Sequence, residues 1–329
     1  QGDWSSDVCS SDLRSSIHAL QSCRQGYWLS ALALRVRSVG ALWHTRRMPI
    51  PLIATDLDGT LLMTGSHEPH PDAVAAIHRA LAAGIQVVLA TGRAPLDVVP
   101  IAELIGHRWF AACCDGTAIV DLAKAEVVST KTIDLETKLA VVSTLRSAFD
   151  DVKFLIDRVP VGPIDLKQYG LVFEEGFEAP WAWALEGARQ VSDILDVIED
   201  PTIVKICAYR PVDGQDLTNH DQIRALVSDR VTTVCINSQL TFVDMCALGV
   251  SKATGVGEIA DMIGISSDHV FAVGDLHNDI EMLDWAGFSF AVANAHQAVR
   301  DIADVIVPAN DEGGVAHVVE AALAHLRQS

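Results

Sequence analysis

The chain has 329 residues, half of them apolar, and sets 43 acidic against 24 basic side chains for a net charge of -19. That length can bury a sizeable core in one large or two ordinary domains, and the acidic balance excludes sequence-independent nucleic-acid binding, which needs basic surface, while suiting a protein that gathers divalent cations. The seven cysteines form no CxxC pair and no zinc-ligand spacing; Cys113, Cys114, Cys207, Cys235 and Cys246 lie in apolar strand-like runs, which reads as buried free thiols in a reducing, cytoplasmic compartment.

Residues 1–47 differ in character from the rest of the chain. Asp3 to Leu13 reads as a translated sequencing adapter and is set aside as a fusion scar is. Arg14 to Arg47 holds six arginines and no acidic residue. It is expected to be a disordered, mis-translated extension with the native start at Met48; the alternative is an Arg- and Ser-rich transit segment. The apolar patch from Trp28 to Trp43 is broken by Arg35 and Arg37, too short and too charged to span a bilayer, so no membrane partner is expected.

An apolar run then climbs out of Pro51 through Ile53 and Ala54 and stops at Asp56-Leu57-Asp58-Gly59-Thr60, a buried strand ending in two acids. In a nearly extended chain residues two apart point the same way. Two carboxylates on one spot repel unless a cation or proton relieves them, so this end is a metal site, an acid/base pair or both. A helix is expected from Pro71 to Gly84. Ile85 to Ala90 is a strand buried on both faces, ending at Thr91-Gly92-Arg93. A short helix over Pro95 to Ile105 follows, then a strand from Trp109 to Cys114 ending at Asp115-Gly116, and a hairpin from Thr117 to Thr132.

From Ile133 to Ser238 the strand ends lose their clustered Asp, Thr and Asn. Leu135–Ala148, Trp181–Ile198 and Asp221–Val227 are expected helical; Val152–Ile156, Ile203–Tyr209 and Val231–Ile236 are expected extended. Pro160, Pro163, Pro180, Pro201 and Pro211 mark turns. The span is long enough for an α/β domain inserted into the first. Polar chemistry then returns. Leu240–Ala247 is read as a strand back in the first domain. Ser251 caps a helix to Ile263 that Gly264 ends, and His269–Val273 is a buried strand running into Gly274-Asp275-Leu276-His277-Asn278-Asp279. A helix over Ile280–Ala286, a strand over Ser289–Ala293, a helix over Gln297–Ile302, a strand over Val305–Val307 and a helix from Gly314 to Leu326 complete the chain. No internal repeat or low-complexity tract interrupts it.

The fold class is therefore α/β: a doubly wound, mostly parallel Rossmann-like sheet over residues 48–132 and 239–329, with an inserted α/β cap over 133–238. Three strand ends carry phosphate- or metal-compatible groups, and in a parallel sheet they share one edge. Hard cations such as Mg²⁺ take carboxylate oxygens, often with a phosphate as further ligand, and a carboxylate beside one can attack phosphorus.

Asp56-Leu57-Asp58-Gly59-Thr60, Thr91-Gly92-Arg93, Lys252 and Gly274-Asp275-Leu276-His277-Asn278-Asp279, in this order and with a long insert after Thr91, resemble the haloacid dehalogenase-like superfamily and its Cof-type phosphatases with a large α/β cap. The resemblance implies a Mg²⁺-dependent phosphomonoester hydrolase acting on a small phosphorylated metabolite. It implies Asp56 as nucleophile, Asp58 as acid and base, and Lys252 as the offsetting cation. Thr91, Gly92, Arg93, Asp115, Gly116 and Asn278 would bind substrate; Asp56, Asp58, Asp275 and Asp279 would form the metal site, Asp58 through its backbone carbonyl. His277 is read as a variable loop residue and Asn294 as holding the loop. Asp115-Gly116 departs from the family, which usually has Asn-Gly there. Lys205 is a rival for Lys252 but falls in the insert. The alternatives are a sugar phosphomutase with the same machinery and a non-catalytic protein on the same scaffold.

Overall fold

The computed structural model describes residues 50–164, 170–178, 188–210, 219–234 and 242–328. The expectations for residues 1–47, for Cys235, for the turns at Pro180 and Pro211 and for the start of the Trp181–Ile198 helix lie outside the described residues. The first sheet is built outward from β1 (Leu52–Thr55), which runs parallel to β2 (Gln86–Ala90) on one side and to β13 (Val270–Gly274) on the other. Beyond β2 lies β3 (Phe110–Cys113), also parallel; beyond β13 lie β14 (Phe288–Val292) and β15 (Val305–Val307). The antiparallel hairpin β4 (Ala118–Asp121) and β5 (Glu126–Thr130) extends the β3 side, and the two-residue β7 (Gly162–Pro163) pairs with β5.

The apolar runs of β1 and β2 reflect burial on both faces: Leu52, Ile53, Ala54, Val87, Val88, Leu89 and Ala90 are all buried. Helix α1 (Pro71–Ala82) begins with a proline where a missing N–H costs nothing and turns Ala73, Ala76, Ile77 and Ala80 inward. It packs against the last helix, α8 (Gly314–Gln328). Helix α2 (Pro95–Leu104) comes after β2. Helix α5 (Lys252–Ile263) packs on β2, β3 and β4. Its amino end is closed by the Thr254 hydroxyl, which accepts from the Ser251 N–H at 2.9 Å, and Gly264 ends it with a left-handed φ of 70°. Helices α6 (Ile280–Trp285) and α7 (Gln297–Ile302) complete this layer. Among the described residues no helix is long and apolar enough to cross a membrane.

The insert folds on a second sheet in the order β11 (Val231–Val234), β12 (Phe242–Ala247), β10 (Ile203–Tyr209), β6 (Lys153–Arg158), β8 (Gly170–Glu174), β9 (Arg189–Val191). Helices α3 (Leu135–Ala148) and α4 (Asn219–Val227) cover it, with Val141, Leu145, Ile223 and Val227 packed on Phe154, Ile206, Val243 and Met245.

Two expectations need correction. The strand ending at Ala247 does not return to the first sheet. Val243 and Met245 belong to the apolar cluster of the second, and β12 lies between β10 and β11 in antiparallel register. The second sheet thus extends past residue 238. The helix expected over Trp181–Ile198 is absent from its described part: Arg189–Val191 pairs with β8, and Ile194–Asp196 is a short turn of 3-10 helix. The Glu174 carboxylate pins this segment by accepting from the Ile194 N–H at 2.8 Å.

Candidate active site

The ladder of β1 continues one residue past the strand, where the Asp56 N–H donates to the Val273 carbonyl at 3.0 Å. Asp56 is thereby buried at the carboxyl edge. The next turn depends on Gly59, whose φ is 77°. A Cβ there would strike the Asp275 carboxylate, so a glycine at this point lets the β1 and β13 loops close on each other. The Thr60 hydroxyl donates to Asp275 Oδ1 at 3.2 Å. Asn294 Nδ2 donates to the Gly59 carbonyl at 2.8 Å and is itself fixed by the Asn310 N–H at 3.0 Å.

Lys252 heads α5 with its ammonium buried. Nζ donates to Asp56 Oδ1 at 2.6 Å and to Asp279 Oδ1 at 2.7 Å. Asp279 Oδ2 accepts from the N–H groups of Asp275 and Leu276 at 2.9 and 3.0 Å. The space for that carboxylate comes from Gly274, where any Cβ would collide with it.

One carboxylate oxygen from each of Asp56, Asp275 and Asp279 lies within 4.8 Å of the other two. Burial pushes the Asp56 carboxyl well above its usual value, and Asp279, Asp275 and Asp58 add repulsion that Lys252 only partly offsets. Burial and Asp279 likewise push Asp275 up to about 7. Lys252 stays protonated despite burial, because Asp279 and Asp56 outweigh the loss of water. Three acids lie together and the one ammonium bonds only two of them, an acidic, all-oxygen cluster that suits a hard divalent cation.

The two acids of the first motif do not converge on one spot. Asp58 turns out to a bidentate pair with Arg93, Nε to Oδ2 at 2.7 Å and Nη2 to Oδ1 at 2.5 Å. Its side chain is 56% exposed, and its carboxylate is outside the buried cluster. The extended geometry that aligns side chains two apart breaks here because β1 ends at Thr55 and the chain begins to turn at Leu57, between the two acids. Asp58, Gly59, Met63, His67 and Arg93 line an adjoining cavity of about 420 Å³.

The second and third strand ends are joined by their backbones. The Asp115 N–H donates to the Thr91 carbonyl and the Cys114 N–H to the Arg93 carbonyl, each at 2.9 Å. The Thr91 hydroxyl accepts from the Arg93 N–H at 3.1 Å. Asp115 is enclosed: Oδ1 accepts from Asn278 Nδ2 at 3.0 Å and Oδ2 from Lys205 Nζ at 2.9 Å. Burial alone would raise this carboxyl, but Lys205, Lys252 and Asn278 hold it below its usual value. Gly92 lies against the Asp115 carboxylate, and Gly116, with φ 90°, lies against Ser251 and Gly255 of α5. His277 packs against His296 with the rings tilted and their centres 4.2 Å apart, and is not part of the acidic cluster.

Lys205 sits on β10 of the second sheet, as its place in the insert implies, yet its ammonium reaches the first sheet's loops. Sequence reasoning alone sets it aside. The available signal is a lone charge in the apolar run Ile203-Val204-Lys205-Ile206-Cys207, on the strand face opposite Ile206 and Ala208.

A doubly wound sheet that gathers buried aspartates and a lysine on its carboxyl edge beneath an inserted second sheet defines a class of phosphoryl-group hydrolases. The chain belongs to that class as a haloacid dehalogenase-like hydrolase, the family whose profile matches residues 53–319, and within it stands with the phosphatases. It is 26% identical over 290 residues to phosphatase YwpJ of Bacillus subtilis, covering 82% of this chain and 98% of that protein. It is 26% identical over 274 residues to pyridoxal phosphate phosphatase YbhA of Escherichia coli, covering 83% and 98%. Among solved structures, BT1666 of Bacteroides thetaiotaomicron shares the fold at a TM-score of 0.68 and 24% identity, over 87% of this chain and 99% of that one.

Proposed function

We propose that the protein is a Mg²⁺-dependent phosphomonoester hydrolase acting through an aspartyl-phosphate on a small phosphorylated metabolite, with the second sheet as its cap. The observation that carries this reading is the buried Lys252 ammonium shared by Asp56 and Asp279 at 2.6 and 2.7 Å. It fixes one oxygen of Asp56 and leaves Oδ2 to attack phosphorus.

Asp56 Oδ2 forms the new bond to phosphorus as the bond to the leaving oxygen breaks, and Asp58 gives that oxygen its proton. Water then attacks the aspartyl-phosphate, Asp58 takes the proton, and inorganic phosphate leaves with the Asp56 carboxylate restored. Asp58 can do this only after turning from Arg93, so the Arg93 pair is its resting position. Thr91 and the backbone beside it hold the phosphoryl oxygens, and Lys252 offsets their charge.

The donor set fits Mg²⁺: buried carboxylates whose mutual repulsion a divalent ion relieves. Asp56, Asp275 and the Asp58 carbonyl would hold it. Asp279, whose oxygens already accept from Lys252 and two backbone amides, would support the loop or act through water. The ion would supply charge neutralisation at the phosphoryl group.

A phosphate-release screen over sugar phosphates, nucleotides, flavin mononucleotide and pyridoxal phosphate tests the substrate class; the name of the YbhA relative makes pyridoxal phosphate the first compound to try. With p-nitrophenyl phosphate, Asp56→Asn is expected to abolish turnover and excess EDTA to stop the wild type until Mg²⁺ is restored. Turnover that survives either treatment contradicts the reading.

A further inference from the structure

We propose that Lys205 is a positioning residue that locks the second sheet onto the first through Asp115, so that closure and assembly of the phosphoryl-binding loops are one event. The inference rests on the phosphatase reading and adds to it how the site is put together.

Lys205 donates to acceptors on both sheets. On the first it reaches Asp115 Oδ2 at 2.9 Å and the Gly92 carbonyl at 3.3 Å; on its own it reaches Asp244 Oδ2 at 3.0 Å. Side-chain exposure is 5% for Lys205 and 1% for Asp115. Taking such a pair out of water is costly before their attraction offsets it, and well-packed apolar residues often do as well for stability alone. A buried pair that bridges two sheets at a site is therefore better explained by positioning than by stability.

The contacts of Asp115 show which groups the lock positions. Its second oxygen takes Asn278 from the β13 loop. Its N–H holds the Thr91 carbonyl, and the carbonyl of Gly92 takes Lys205 directly. One ammonium thus ties three elements: the Thr91–Arg93 loop, the Cys114–Gly116 loop and Asn278. Cys114 and Asp115 both adopt left-handed φ, 48° and 56°. Non-glycine residues are strained there and keep it only where surrounding contacts impose it.

The aspartate itself fits this role. Asparagine, usual here in the family that the chain resembles, would offer one acceptor oxygen and a donor NH₂. Aspartate offers two acceptors, so it binds Asn278 and Lys205 at once, the latter through a charge-assisted bond. When the second sheet lifts away, Asp115 loses its cation and the loops lose their common anchor.

The test compares wild type, Lys205→Met, Asp115→Asn and the double variant, each checked for a cooperative thermal melt. Backbone amide exchange over 91–93 and 114–116 is read without substrate, and kcat and KM with p-nitrophenyl phosphate. Lys205→Met is expected to speed exchange in both loops and to lower kcat by on the order of tenfold to a hundredfold, with a smaller change in KM. In the Asp115→Asn background the same substitution should do much less, since the two residues act through one contact. Unchanged exchange and kcat in a folded Lys205→Met overturns the proposal, as do effects of the two substitutions that simply multiply. If Lys205→Met does not fold, Asp115→Asn alone must still loosen the 91–93 loop, and unchanged exchange there overturns it. If wild type releases no phosphate from any substrate, the function proposed above fails while the exchange comparison still decides the lock.

Discussion

Asp157 is a carboxyl that the site's own electrostatics penalise. It lies on β6, buried, with Lys205 as the compensating cation. Burial first, then Asp244, Asp97 and Asp115, push it up to about 6 against the pull of Lys205. A carboxyl whose folded value lies above its free value of 3.8 binds its proton more tightly when folded. Its contribution is therefore complete below about pH 4 and lost as the pH rises through 6. Asp157→Asn should remove that penalty, raising stability at pH 7.5 by on the order of 1–3 kcal/mol and flattening its decline between pH 4.5 and 7.5. Urea melts at the two pH values check it; a variant less stable than wild type at pH 7.5 would show the carboxylate to be doing something useful. Legibility at this scale is uneven. Asp56, Lys252, Asp275 and Asp279 stand out as acids and a lysine at strand and helix ends, and the fold brings them together. The turn of Asp58 toward Arg93 is hidden, because it depends on the chain turning at Leu57 and on a guanidinium 35 residues away.

The elements legible in the sequence carry their own punctuation. Helix α1 has its proline start and α5 its Gly264 stop, and Leu135–Ala148 and Ile203–Tyr209 match their expected bounds. The illegible ones depend on distant partners. Arg189–Val191 is three residues long and is a strand only because β8 lies beside it. The sheet to which Phe242–Ala247 belongs is decided by register with β10, which local pattern does not contain. The contact between the Cys114–Gly116 loop and α5 is equally non-local. Gly116 and Gly255 meet with no space for a Cβ on either side, and at Gly116 the obstacle is the Ser251 carbonyl, next to Lys252. Gly116→Ala must push α5 away or bend the loop, so it is expected to cost about 1–3 kcal/mol and to lower kcat by displacing Lys252. A thermal melt and a turnover assay read both effects; a variant with the melt and kcat of wild type would show that the contact is loose.

Across the whole molecule acidic residues outnumber basic ones, 43 to 24, and among the described residues the buried acids likewise outnumber the buried lysines. Lys252 pairs with Asp56 and Asp279 within the first sheet; Lys205 pairs with Asp115 and Asp244 between the two sheets. The sequence shows the first lysine by its motif and conceals the second, because an inserted segment gives no sign of which loop it will touch. The same division applies to chemistry and substrate. In the proposed function the reaction rests on short motifs at one sheet edge, whereas the choice of substrate would rest on the second sheet, which carries no such motif. In the proposed reaction Asp56 carries the phosphoryl group. Acid-quenching the enzyme during turnover and treating it with borohydride converts an aspartyl-phosphate to homoserine, which peptide mass spectrometry locates. Homoserine at position 56, formed only with substrate present, is the expected result; homoserine at another carboxylate, or none at any position while phosphate is being released, would contradict it.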